Sequence, residues 1–133
     1  MVWKCTITLF TLFIVPAFLC AQDSLYTESD YANFIQTLIG GQREVTVESG
    51  RIDLLTETHA FEIEWAPKWK EAIGQALWYA LQTNTQPGII LILKGKEEYK
   101  YFVQLNSALQ YAGLDGRFSV LLFPDDFRHL MGE

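Results

Sequence analysis

The sequence predicts an α/β domain, a mixed sheet flanked by helices in the order αβββαβαβ. Three observations carry this. Residues 44–65 hold three short runs in which apolar and polar residues alternate with period two, the mark of half-buried strands. Gly88-Ile-Ile-Leu-Ile-Leu93 is uniformly apolar, the mark of a strand covered on both faces. Helical segments separate the later strands, and strand–helix–strand steps demand parallel pairing through right-handed crossovers. The chain has 133 residues, half of them hydrophobic and 14% aromatic, which suits one domain with one core.

Residues 1–21 read as a signal peptide. Lys4 is their only charge, the run from Cys5 to Val15 is apolar, and Pro16 interrupts it before Leu19-Cys20-Ala21. Cleavage is expected after Ala21, leaving residues 22–133 as a single secreted or periplasmic domain without a stable membrane anchor. The alternatives are an uncleaved anchor, at the short limit for a span, and lipidation at Cys20, which bulky Phe18 and Leu19 disfavour. Both cysteines, Cys5 and Cys20, fall in this segment. The mature form would have none, which excludes disulfides, thiolate-held zinc and thiol catalysis. Lys4 is one of 10 basic residues against 16 acidic ones, so its removal would shift the net charge from −6 to about −7. An acidic domain is a poor sequence-independent binder of nucleic acid.

A first helix is expected over residues 24–39, with Leu25, Tyr31, Phe34, Ile35 and Leu38 on one side. Ser24 or Asp23 would cap it, and Gly40-Gly41 would end it. Strands follow at residues 44–48, 51–55 and 60–65. Val45 and Val47, Ile52 and Leu54, and Phe61, Ile63 and Trp65 would form the apolar face. Glu44, Thr46, Glu48, Arg51, Asp53, Glu62 and Glu64 would form the other. Ser49-Gly50 suits a two-residue hairpin turn, and residues 56–59 a four-residue one. Pro67 suits the first turn of a helix running to about Gln82. The buried strand at residues 88–93, a helix over 97–111, a strand over 117–123 and a short tail from Pro124 complete the chain.

These turns set a register in which Leu55 faces Ala60, Asp53 faces Glu62, and Glu48 faces Arg51. Opposed carboxylates repel at about 5 Å. Shared between Asp53 and Glu62, a hard cation would relieve that repulsion, magnesium, manganese or calcium rather than zinc. Glu64, two residues on, shares the face. On the following helix Lys68 and Gln75 are nearly eclipsed at 100° per residue, with Tyr79 one turn further. Lys68 would then face the carboxylates, to orient water or stabilise an oxyanion. The competing reading is a plain solvated face. Trp65, Trp69 and Trp78 read as core, and His59 sits in a turn with no partner pattern.

The parts in this order resemble the PD-(D/E)XK nuclease superfamily, whose restriction-endonuclease-like core is αβββαβ. Asp53 in Arg51-Ile52-Asp53 stands where that family has its metal-binding Asp. Glu62-Ile63-Glu64 stands where it has Glu-x-Lys. Gln75-Ala-Leu-Trp-Tyr79 is similar to the Gln-x-x-x-Tyr helix motif of the RecB-like and Holliday-junction-resolvase-like branches. Glu28 is the counterpart of the helix-one Glu, with Glu44 as a second candidate. The chain departs from the pattern at Ile52, where a Pro is usual, and at Glu64, where a Lys is usual. Migration of the lysine to the neighbouring helix is a variation the family uses, and Lys68 would supply it. The resemblance implies a Mg2+- or Mn2+-dependent nuclease with nucleic acid as its partner, and residues 1–21 add the expectation of export. Asp53, Glu62 and Glu28 would be metal ligands, and Glu64, Lys68 and Gln75 would assist catalysis. The alternative it implies is a catalytically inactive binding module on the same fold.

Overall fold

A computed structural model describes residues 25–132. The expected signal peptide, with Lys4, Cys5 and Cys20, lies outside them, as do Asp23 and Ser24. The order αβββαβαβ is observed. Helix α1 spans Glu28–Ile39, strands β1, β2 and β3 span Gln42–Val47, Gly50–Leu55 and His59–Trp65, and α2 spans Trp69–Thr83. Strand β4 spans Gln86–Ile92, α3 Tyr99–Tyr111, β5 Ser119–Phe123 and the short α4 Arg128–Met131. The sheet order is β1-β2-β3-β4-β5. The first three strands form an antiparallel meander, and β3, β4 and β5 pair in parallel. Among the described residues no helix is long and apolar enough to cross a membrane.

Helices cover both faces. Ile35 of α1 packs on Leu54, Phe61, Ile63 and Ile90, together with Phe123 and Phe127. On the opposite face Ala72 and Ala76 of α2 and Leu105 and Leu109 of α3 pack on Ile89, Leu91 and Leu122. Strand β4 gives Ile90 and Ile92 to one core and Ile89 and Leu91 to the other. Its uniform apolarity is thereby explained.

Several local expectations are corrected. The first helix starts at Glu28, not at residue 24. Thr27 caps it, its hydroxyl accepting from the Asp30 N–H while the Asp30 carboxylate accepts from the Thr27 N–H at 2.8 Å. This capping box satisfies two otherwise orphaned donors. The first hairpin turns at Glu48-Ser49, one residue earlier than expected, with Ser49 in the left-handed region at φ +60°. Val47 therefore faces Gly50 and Thr46 faces Arg51, so the expected Glu48–Arg51 pair does not form. Gly50 serves packing instead of the turn. A Cβ there would overlap the Tyr79 hydroxyl, which accepts the Arg51 N–H at 3.3 Å. The Glu48 carbonyl accepts from Trp78 Nε1 at 3.0 Å and from Gln82 Nε2 at 3.1 Å, fastening the hairpin to α2.

The single apolar face expected for β2 is also corrected. Ile52 packs with Ala60, Tyr79 and Ala80 on the α2 side, whereas Leu54 joins the α1 side. Alternation breaks at Asp53, between them. Opposite, Glu44 adopts φ +56° and leaves the β1–β2 pairing, which runs through Arg43–Leu54 and Val45–Ile52 but skips the Glu44–Asp53 rung. A left-handed residue within a strand twists it locally. At the far rim, Leu122 N–H donates to Asp126 Oδ2 at 2.7 Å, where the chain leaves β5 for a tight turn.

Candidate functional site

The β2–β3 ladder has the expected register. Leu55 pairs with Ala60 and Leu54 with Phe61, and the pairing stops there. Asp53 and Glu62 are next in line. Asp53 Oδ2 takes a backbone donor that a ladder would use, the Ile63 N–H, at 2.9 Å, and the Asp53 N–H is near enough to the Glu62 carboxylate to oppose its protonation. The strands part at the rung that carries the two acids.

Glu62 is 5% exposed and is the one buried charged residue among those described. Its Oε1 is buried without a hydrogen-bond partner. Burial, then the charge of Asp53, pushes its pKa up to about 9, against the opposing pull of the Asp53 N–H. The solvated-face reading therefore fails for Glu62. Burial also raises the pKa of Asp53, while the Ile63 N–H and Arg43 lower it. Glu28, at the start of α1, reaches the same place. Burial raises its pKa to about 7, as do a side-chain hydrogen bond with Glu64 and the charges of Glu64 and Asp53. Lys68 Nζ lies 3.3 Å from Glu64 Oε1, and that pairing raises the lysine's pKa.

Glu28, Asp53, Glu62, Glu64 and Lys68 thus form one electrostatic group, and Gln75 stays outside it. Gln75 is exposed and makes no hydrogen bond with any of these carboxylates. Ala66–Lys68 is a 3-10 turn and α2 begins only at Trp69, so the spacing of Lys68 and Gln75 is not set by one continuous α-helix. Helical angles do not carry back across that junction. Tyr79 is buried against Gly50. Glu44, the alternative first acid, is half exposed and pairs with Arg51 at 3.8 Å and Arg43 at 4.0 Å. It takes no part in the cluster. Trp69 is buried as expected, Trp65 half-buried, and Trp78 exposed. His59 opens β3, stacked on Phe61 at 5.1 Å with Nδ1 2.8 Å from the Thr58 hydroxyl.

Sequence reasoning missed Arg43. Its guanidinium donates to Asn33 Oδ1 of α1 at 3.1 Å and to the Asp53 carbonyl. It ties α1, β1 and β2 together where the ladder opens. The expected first strand began at Glu44, whereas β1 begins at Gln42 and takes in Arg43.

The donor set suits a hard divalent cation in part. Two carboxylates side by side and an orphaned buried oxygen are favourable. Among the described residues, no group of three or more His, Cys, Asp or Glu has metal-holding geometry. Magnesium commonly takes one or two carboxylates and keeps several waters, so Asp53 and Glu62 are sufficient for that chemistry.

No known family model matches the chain, and no solved structure matches it. A stretch of 42 residues is 48% identical to part of a KilA-N domain-containing protein of Acanthamoeba polyphaga mimivirus. It covers 32% of this chain and 17% of that protein.

Proposed function

We propose that the chain is a metal-dependent phosphodiesterase acting on nucleic acid, on a restriction-endonuclease-like sheet of the PD-(D/E)XK kind. The observation that carries this reading is the buried Glu62 carboxylate, with one oxygen unpartnered, beside Asp53 at the rung where β2 and β3 part. Asp53 and Glu62 would hold Mg2+ or Mn2+, while Glu28, expected as a third ligand, bonds to Glu64 instead. When bound, the metal supplies Lewis acidity and a water of lowered pKa. Glu64 stands beside it as a proton acceptor for that water. Lys68, 3.3 Å from Glu64, would offer positive charge to a developing phosphate oxyanion. The raised pKa values of Glu62 and Glu28 mean that metal entry displaces protons, so affinity should increase with pH. With a formal charge of −6, the chain should favour short or single-stranded substrates over long duplex. Export rests on residues 1–21 and belongs to the same proposal.

The test is a cleavage assay on single-stranded and duplex nucleic acid with Mn2+, Mg2+ or chelator. Metal-dependent cleavage that Glu62→Ala abolishes is expected. Calorimetry showing no Mn2+ binding by the unsubstituted protein would overturn the reading. A second reading, a binding module that has lost catalysis, is favoured by one observation. The family's strand lysine is Glu64 here, and Lys68 already neutralises it. Metal bound without cleavage of any nucleic acid would select it.

A further inference from the structure

Beside the acidic cluster, at the same end of the sheet, lies a small basic pocket of about 240 Å³. It is lined by the segment after β4, with Lys94 and Lys96, by Tyr99, and by Pro124, Asp125 and Arg128 after β5. In open parallel sheets, ligands bind in the crevice outside the carboxyl ends of the strands. This pocket lies outside the carboxyl ends of β4 and β5, where the chain leaves each strand.

Its placement relative to the acids follows from the register. Glu64 pairs with Leu91 and Trp65 with Ile92, and Lys94 follows two residues later. Lys94 Nζ sits 4.7 Å from the Trp65 ring centroid, one residue along β3 from Glu64. Adjacent strands are about 4.8 Å apart, so the pocket begins beside the end of β3, just past Glu64.

The local charges are unevenly committed. Glu98 Oε2 accepts the Lys94 N–H at 2.7 Å, Asp126 accepts the Leu122 N–H, and Asp125 pairs with Arg128 at 3.1 Å. Neither Lys94 nor Lys96 has a carboxylate within ion-pair distance among the described residues. Two ammonium groups outside ion-pair distance of a carboxylate thus flank a concavity in a chain of net negative charge, with the Glu97 carboxylate lying against Gly95 between them.

We propose that this pocket binds a backbone phosphate of a single nucleic-acid strand, next to the bond presented to Asp53 and Glu62. The proposal rests on the phosphodiesterase reading for its choice of ligand. Lys94 and Lys96 give point charges to the phosphate oxygens, and the nearby Trp65 and Tyr99 rings border the strand's path. The pocket offsets the repulsion between an acidic protein and a polyanion at the place where the substrate must approach.

The experiment is fluorescence anisotropy of a labelled single-stranded oligonucleotide with the full chain, across a salt series. Inorganic phosphate and a mononucleotide serve as competitors. The double variant Lys94→Ala/Lys96→Ala should weaken binding by at least tenfold and reduce the salt slope by roughly 0.7 for each phosphate no longer neutralised. Arg117→Ala removes an exposed charge before β5, at the opposite end of the sheet, and should change affinity less than twofold. Lys94→Arg/Lys96→Arg should restore binding. Unchanged affinity and slope in the double alanine variant would overturn the proposal. So would inorganic phosphate or the mononucleotide displacing the strand at equal concentration, which would mark the pocket as a site for free phosphate. Glu62→Gln separates the two readings. Binding that depends on the lysines without any cleavage leaves the pocket standing and removes the nuclease. Cleavage unaffected by the lysine variants does the reverse.

Discussion

Glu62 binds its proton far more tightly in the folded chain than an ordinary glutamate does. Its folded pKa of about 9 lies above the reference value of 4.5, and that of Glu28, about 7, also lies above 4.5. Below pH 4.5 both folded and unfolded forms are protonated, and the stability linked to these groups is fully present. As pH rises above 4.5, the unfolded chain ionises while the folded chain still holds its protons. Stability therefore falls with pH, until each group ionises in the folded state as well. For buried Glu62 that fall is at most about 1.4 kcal/mol per pH unit over its window, and for the more exposed Glu28 it is less, because water screens its charge. Thermal melts of metal-free protein should show the midpoint dropping from pH 5 to pH 9. Glu62→Gln, which mimics the protonated acid, should flatten that slope and raise the midpoint at pH 8 while changing it little at pH 5. An unchanged slope would show that Glu62 ionises freely. The approach of Asp53 to Glu62 was legible in the sequence, because two short turns and period-two alternation leave little freedom of register, but the end of the ladder one rung short of them was not. Nor was the depth of Glu62. Burial comes from the tertiary packing of helices on β3, which no local pattern encodes.

At the scale of elements, the first hairpin shows how tertiary packing redirects a local signal. Ser49-Gly50 reads as a turn because glycine tolerates positive φ. In the fold, Ser49 takes that conformation, and Gly50 lies against the ring of Tyr79. Gly50→Ala should destabilise the protein by about 1–3 kcal/mol through overpacking. A lower denaturation midpoint at unchanged m-value would show it. A neutral result would mean that α2 can withdraw from the hairpin. The helix order, the meander and the buried parallel strand were all legible, since each rests on a period sustained over several residues. The face switch at Asp53 was not, because it depends on one left-handed residue, Glu44, on the neighbouring strand. The supposed alignment of Lys68 with Gln75 lacks its one continuous helix for a related reason. Pro67 marks the start of a helical segment but does not say that its first turn is 3-10.

At the scale of the molecule, an open five-stranded sheet has two rims, and each exposes backbone groups able to pair with another chain. On the β1 side, the twist at Glu44 interrupts the straight edge that a partner strand would need. On the β5 side, one side chain performs the same task. The Asp126 carboxylate that receives the Leu122 N–H occupies an outward donor and sets a negative charge on the rim. A neighbouring strand approaching there would have to displace it. The bond is thus a stopper against lateral growth of the sheet. Asp126→Ala should leave the fold intact yet make it self-associate with increasing concentration, as light scattering would report. Asp125→Ala, which disturbs only the pairing with Arg128, should stay dispersed. Seen this way, the shortest tether at the end of the chain decides whether the sheet stops at five strands or becomes a template.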